Sequence, residues 1–290
     1  MLDYISNQLY NLLVKVTYFL RRFELCRKMH NALVGNWYIE YHICDHCNLN
    51  CKCCSHFSPV SERYSVSLEE TEENFKKLSQ NFPAHFRSIH LLGGEPLLHP
   101  QIIDILQIVR KYFPSKEIQV FTNGTLLSRQ DDTFFDTIKK NNIQIGVTRY
   151  PCSVNYDEIK TLLDEKGADY FFTSFRRSID KFEKRLLSEN EGSNWLKNYL
   201  LCKQTTCHQL RDCRIYLCPY LAYSDNLNKK FGTKFTHEKC DYIDISKRVT
   251  RWDILWKFGI PGRACRYCDR KGIEMIDWET SKRAREEWIK

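Results

Sequence analysis

The chain has 290 residues, 42% of them hydrophobic and 13% aromatic, which excludes an intrinsically disordered protein and suffices for one large core with a small appendage. Fourteen cysteines would suit a disulfide framework in a secreted chain, but no cleavable signal with an apolar centre opens the sequence. A reducing, cytoplasmic location is expected, in which clustered cysteines read as metal ligands. The formal charge of +8 attracts nucleotides, phosphorylated sugars and nucleic acid alike, and thiolates bound to an anionic cluster would lower it.

Residues 4–29 set Leu9, Leu12, Leu13, Val16, Phe19, Leu20 and Phe23 at helical spacing, with Lys15, Arg21, Arg22, Arg27 and Lys28 mostly on the other side. The uncharged stretch Tyr4 to Val14 is short and carries Asn7, Gln8 and Asn11, so no transmembrane segment is expected. The pattern favours a cap on the domain over a helix lying on an anionic membrane surface. It sets residues 1–34 apart as an N-terminal amphipathic helical segment. From Trp37 onward, runs rich in branched and aromatic residues predict strands over Trp37–Ile43, Ser88–Leu92, Glu117–Phe121, Ile143–Val147 and Asp169–Phe172. Helices between them have legible starts: Ser67 with Glu70 as a capping box, Pro100 in a first turn, Asp131 or Asp132, and Asn155. This alternation over 35–175 predicts an α/β domain with a parallel sheet and right-handed crossovers, whose working face lies at the carboxyl ends of the strands. Beyond it, a polar helical stretch over 178–198 is expected, then a cysteine-rich module within 176–290 that a helix over 278–290 closes. Residues 200–270 hold seven of the cysteines.

In the run Cys44-Asp45-His46-Cys47-Asn48-Leu49-Asn50-Cys51-Lys52-Cys53-Cys54, the trio Cys47, Cys51 and Cys54 alone has three and then two intervening residues. Three thiolates on a cubane leave one iron open for a ligand, and the position after the first strand sets the trio at the catalytic rim. Cys44 and Cys47 also form a Cys-x2-Cys pair of the kind zinc uses.

This trio resembles the signature of the radical S-adenosylmethionine (SAM) superfamily. Leu92-Gly93-Gly94-Glu95-Pro96, where the second strand ends, is similar to that family's GGE motif, which receives the SAM ammonium. Phe121-Thr122-Asn123-Gly124 resembles family members at the third strand, and Thr148 takes the place where a hydroxyl meets the SAM ribose. The sequence departs from the pattern at Cys53, where the family prefers a bulky apolar residue beside the adenine. The resemblance implies a partial (β/α)6 barrel, a [4Fe-4S] cluster and SAM. Downstream, Cys202, Cys213, Cys218 and the pair Cys265 and Cys268 resemble the twitch or SPASM class of extension, with Cys213 in a glycine's place. That implies an auxiliary [4Fe-4S] cluster on Cys218, Cys265 and Cys268 with either Cys202 or Cys207 as fourth ligand. A four-cysteine zinc site uses the same residues.

The family chemistry implies reductive cleavage of SAM and hydrogen abstraction from a small-molecule substrate, a sugar, nucleotide sugar or cyclitol whose alcohol is oxidised. A low-potential donor such as flavodoxin or ferredoxin would supply electrons. His56, Tyr64, Arg149 and Tyr150 qualify as base or positioning groups by position. Cys152, after the fourth strand, would make the enzyme an epimerase if its thiol returned a hydrogen atom. RNA or peptide modification ranks third, and a zinc-binding, nucleic-acid-binding protein is the non-enzymatic alternative, for which no nucleic-acid motif is present.

Overall fold

The computed structural model describes residues 2–82, 86–173, 181–190, 193–269 and 272–290. The expected N-terminal helix is two: α1, Leu2–Phe19, and α2, Glu24–Val34. Then β1, Tyr38–Cys44, α3, Leu68–Asn81, β2, Ser88–Gly93, α4, Ile102–Tyr112, and β3, Glu117–Thr122, follow. The alternation continues through α5, Asp132–Lys140, β4, Ile143–Val147, α6, Tyr156–Lys166, and β5, Tyr170–Phe172. The predicted starts hold locally. Ser67 accepts the Glu70 N–H at 3.0 Å, Asp131 accepts that of Phe134 at 3.1 Å, and Asn155 accepts that of Asp157 at 3.1 Å. The capping box is only half formed, because the Glu70 carboxylate accepts from Tyr64 Oη instead of reaching back.

Strands β1 to β5 lie side by side in chain order, every neighbouring pair parallel, as right-handed crossovers with a helix between strands require. This is the α/β architecture of a partial barrel; the sheet does not close. Ile39, Tyr41 and Ile43 of β1 pack outward with Phe75 and Leu78 of α3 and Ile105 and Val109 of α4 in one buried core. Tyr38 and Glu40, the alternate residues, line the concave face.

The C-terminal half departs from expectation. Lys181–Lys184 is a strand, β6, where the polar pattern predicts helix; Ser178–Asp180 of that prediction lie outside the described residues. Helix appears only at α7, Trp195–Leu201. Next come β7, Cys207–Arg211, β8, Arg214–Tyr216, α8, Pro219–Ala222, α9, Ser224–Phe231, β9, Tyr242–Asp244, and α10, Arg251–Phe258. The tail 278–290 is no continuous helix: β10, Glu274–Asp277, pairs antiparallel with β6, and only a 3-10 turn follows at Arg285–Glu287. Long-range contacts overrode local propensity in both places, the pairing with β10 at β6 and, in the tail, isolated bridges from Thr280 to Cys51 and from Ile289 to Leu187. The cysteine-rich module also shares the main sheet. β7 adds in parallel to the free edge of β1, and β8 and β9 extend it antiparallel. Asp212 and Cys213, both left-handed at φ 52° and 53°, make the two-residue turn of the β7–β8 hairpin.

Candidate active site

Twenty-five residues at the carboxyl end of the sheet line a cavity of about 500 Å3. Cys47, Cys51 and Cys54 line it together, on the loop that leaves β1. Cys44 does not. Its thiol is buried against the Glu95 carbonyl at 2.9 Å, so the Cys44 and Cys47 pair points to no shared ion. Burial pushes Cys47 up to about 11 and Cys51 up to about 12, and the proximity of Cys54 adds to both rises. At Cys54 burial acts the same way, but His56 outweighs it and lowers the thiol. Cys47 and Cys51 are thus poorly suited to carry free negative charge, and a bound cationic iron-sulfur core would reverse that cost. Among the described residues no three side chains converge as ligands of a single ion do. Ligands of a cubane bind separate irons and stand further apart, so the donor set fits a cluster.

Gly93 and Gly94 line the cavity, and both also admit a close backbone contact. A Cβ on Gly93 would lie 2.1 Å from the Cys44 carbonyl oxygen, and one on Gly94 would lie 2.1 Å from that of His46. Their absent side chains let the end of β2 press on the cysteine loop, where Gly94 N–H donates to Cys44 O at 2.8 Å and Glu95 N–H to His46 O at 3.0 Å. Glu95 is fully buried. Its carboxylate accepts from Leu97 N at 3.1 Å, Thr122 Oγ1 at 2.7 Å and Asn123 N at 2.9 Å. Burial raises its pKa to about 7 against these donors. A carboxylate has about four lone-pair sites, so three chain donors leave room for one ammonium. Thr148 lines the cavity, and its N–H donates to Thr122 O at 2.9 Å.

Deeper in the cavity, Glu40 and His56 form an ion pair at 3.7 Å. Burial opposes ionisation of Glu40, but His56, Cys207 and Gln209 outweigh it and hold its pKa near 2. Sequence reasoning missed Glu40, since an acidic residue at an alternate strand position also reads as a solvated face. It missed Arg185 and Glu183 too, which line the cavity and pair with each other. Tyr150 lines the cavity and stacks on Phe182 at 6.0 Å. Tyr64 and Arg149 are absent from the lining, the first turned to Glu70, the second set over the Phe172 ring at 4.5 Å. Cys152 is absent as well; its thiol lies 3.6 Å from Tyr156 Oη.

A second, enclosed void of about 50 Å3 lies where Cys202, Cys218, Cys265 and Cys268 meet. Cys207 is not among them. It sits on β7 facing Glu40 and Tyr38, because pairing with β1 turns it into the sheet. The void exceeds the room one water needs, yet its walls are largely apolar, including Tyr199, Leu221 and Phe235. A hollow lined by four cysteines has the donor chemistry of a closed cluster site. Asn198 Nδ2 fixes the last two cysteines by donating to Cys265 O at 2.9 Å and Cys268 O at 2.7 Å.

The profile of the radical SAM superfamily matches residues 41–185, half of the chain, covering the end of β1, the cysteine loop, the GGE segment and β2 to β6. The chain belongs to the radical SAM superfamily. SAM and an iron-sulfur cluster are the cofactors of that superfamily. A GTP 3',8-cyclase of Crocosphaera subtropica is 30% identical over 46% of this radical SAM chain and 38% of its own length. Molybdenum cofactor biosynthesis protein 1 of Dictyostelium discoideum is 23% identical over 70% of the chain and 32% of its own. The chain thus spans about two fifths of the length of the first of these relatives. Among solved structures, BtrN in complex with AdoMet and 2-DOIA has a TM-score of 0.49 at 16% identity, covering 80% of this chain and 92% of BtrN.

Proposed function

We propose that this radical SAM enzyme oxidises an alcohol carbon of a neutral polyhydroxylated small molecule, a sugar or cyclitol, to a ketone. Cys47, Cys51 and Cys54 would hold the SAM-cleaving cluster, which supplies one electron to split SAM and yield a 5′-deoxyadenosyl radical. Glu95 would hold the SAM ammonium with its remaining acceptor site, and Thr148 would bind beside the ribose. Hydrogen abstraction leaves a substrate radical that must lose one electron and its hydroxyl proton to become a ketone. Glu40 and His56 are an ionisable pair lining this cavity; they would bind that hydroxyl, and the Glu40 carboxylate would accept its proton as the electron leaves. The four thiols of Cys202, Cys218, Cys265 and Cys268 would hold an auxiliary cluster as electron acceptor.

The observation that carries this reading is the charge of the cavity wall. Among the described lining residues, Glu40, Glu95 and Glu183 are acidic, Glu40 is paired with His56, and Arg185, the one permanent cation, is already paired with Glu183. Such a wall offers polar partners to hydroxyl groups and no uncommitted permanent cation to a triphosphate. GTP is the second reading, favoured by the names of the aligned relatives. The epimerase reading is weakened by the position of Cys152 outside the lining.

The test is anaerobic turnover of reconstituted protein with SAM, reductant and carbon-deuterated sugars, nucleotide sugars, cyclitols or GTP. Deuterium should pass from a neutral polyol into 5′-deoxyadenosine, with a ketone product. Transfer from GTP alone would replace this reading with the second.

A further inference from the structure

Helix α1 carries an apolar face that the fold leaves uncovered. Ile5, Leu9, Leu12, Val16 and Phe19 recur at alternating steps of four and three, which sets them in one stripe along the helix. They are exposed, from 42% at Val16 to 82% at Phe19. Another face of the same helix already serves the domain. Thr17 is buried, Ser6 Oγ accepts the indole N–H of Trp252 on α10 at 2.9 Å, and Tyr10 meets that indole edge-on. Docking α1 as a cap therefore accounts for one side and leaves five large apolar residues in water. The charges beside the stripe have one sign. From Ile5 to Phe23 there is no acidic residue, while Lys15, Arg21 and Arg22 are exposed along the stripe and at its end. Arg21 lies over the Tyr18 ring at 4.1 Å and Arg22 over that of Phe23 at 5.0 Å, so each cation stands beside an exposed aromatic group.

We propose that α1 and the turn after it form a docking surface for an anionic lipid bilayer. The stripe would enter the boundary between headgroups and acyl chains, and Lys15, Arg21 and Arg22 would pair with acidic headgroups. No helix among the described residues is long and apolar enough to cross, so the helix lies in the interface plane. A second copy is the poorer occupant, because pairing two such faces brings cations together with no acidic side chain between positions 5 and 23 to meet them.

The experiment is cosedimentation of the full-length protein with vesicles of phosphatidylcholine alone and of phosphatidylcholine mixed with phosphatidylserine. Binding to the mixed vesicles is expected, weakened by salt. It should fall about tenfold or more in Leu9→Gln/Leu12→Gln/Val16→Gln and in Lys15→Glu/Arg21→Glu/Arg22→Glu. All substituted positions are exposed, so circular dichroism should be unchanged. Absence of binding to mixed vesicles overturns the proposal, as does equal binding by the apolar variant. A lipid-free dimer that the apolar variant dissolves would assign the face to a second copy and overturn it too.

A different observation carries a second inference, which rests on reading Cys51 as a cluster ligand. The C-terminal chain runs antiparallel along the cysteine loop: Lys52 N–H donates to Glu279 O at 2.8 Å, and Ser281 N–H to Asn50 O at 2.7 Å. This places Trp278 Nε1 3.2 Å from Cys51 Sγ, in position to donate. We infer that Trp278 is a positioning residue that sets the reduction potential of the cluster. A donor to a ligand sulfur stabilises the more negative, reduced state and raises the potential.

Trp278→Phe keeps an aromatic ring and removes the N–H. In a redox titration followed by electron paramagnetic resonance, it should favour the oxidised cluster about tenfold more than the wild type, a fall of about 59 mV. Trp278→Gln, which retains a donor, should lie closer to the wild type. A fully loaded Trp278→Phe variant at unchanged potential overturns the inference. Wild-type protein that assembles no cluster on the loop would overturn the ligand reading instead.

Discussion

Cys44 and Cys47 are three positions apart, yet they have opposite fates. The first is the last residue of β1 and is sealed against the Glu95 carbonyl, while the second is beyond the strand end and faces the cavity. Replacing Cys47, Cys51 or Cys54 with alanine is expected to abolish SAM cleavage, since a cubane cannot be held by two thiolates. Cys44→Ala should keep the cluster absorbance and activity at a cost of about 1 kcal/mol from its lost hydrogen bond. An inactive Cys44→Ala beside an active Cys47→Ala would reverse the assignment. The spacing of the trio was legible in the sequence because ligand geometry is local. The contribution of Glu40 was not, because its importance comes from Gln209 and His56, which other segments deliver.

At the scale of elements, the pairing of β7 with β1 keeps Cys207 out of the void that Cys202 lines. Register turns Cys207 into the sheet, and the end of α7 delivers Cys202 to the void, where Lys28 Nζ donates to its carbonyl at 2.6 Å. Cys202→Ala should therefore cost about half the iron of the reconstituted protein, and Cys207→Ala should cost none. Iron analysis distinguishes them, and iron loss in Cys207→Ala alone would restore the discarded ligand. The tail makes a comparable clamp. Trp288 is 1% exposed, meets Phe57 edge-on and donates from Nε1 to Cys54 O at 3.0 Å. Trp288→Ala is expected to destabilise the protein by ~3–5 kcal/mol in denaturant unfolding, with faster loss of cluster from the loaded form. A variant of wild-type stability would show that the tail only rests on the loop.

At the scale of the whole molecule, a sequence divided at 175 and 176 folds around a sheet that ignores the division. Leu210 of β7, Ile215 of β8 and Ile243 of β9 belong to the same buried core as Ile39 of β1 and Ile118 of β3. Unfolding should accordingly be a single transition, coincident by circular dichroism and tryptophan fluorescence. Two separated transitions would make the cysteine-rich part an independent domain. By itself, the sequence determined the βα order, most helix starts, the cysteine trio and the family, since each rests on spacing along a few consecutive residues. Tertiary structure alone decided that Gly93 and Gly94 admit the backbone of the cysteine loop, that Cys202 lines one void with the other three cysteines, and that the tail is an extended clamp where a helix was expected. Those outcomes depend on segments up to more than two hundred residues apart, such as Trp278 on Cys51, and no local pattern records a contact whose partner is elsewhere in the chain.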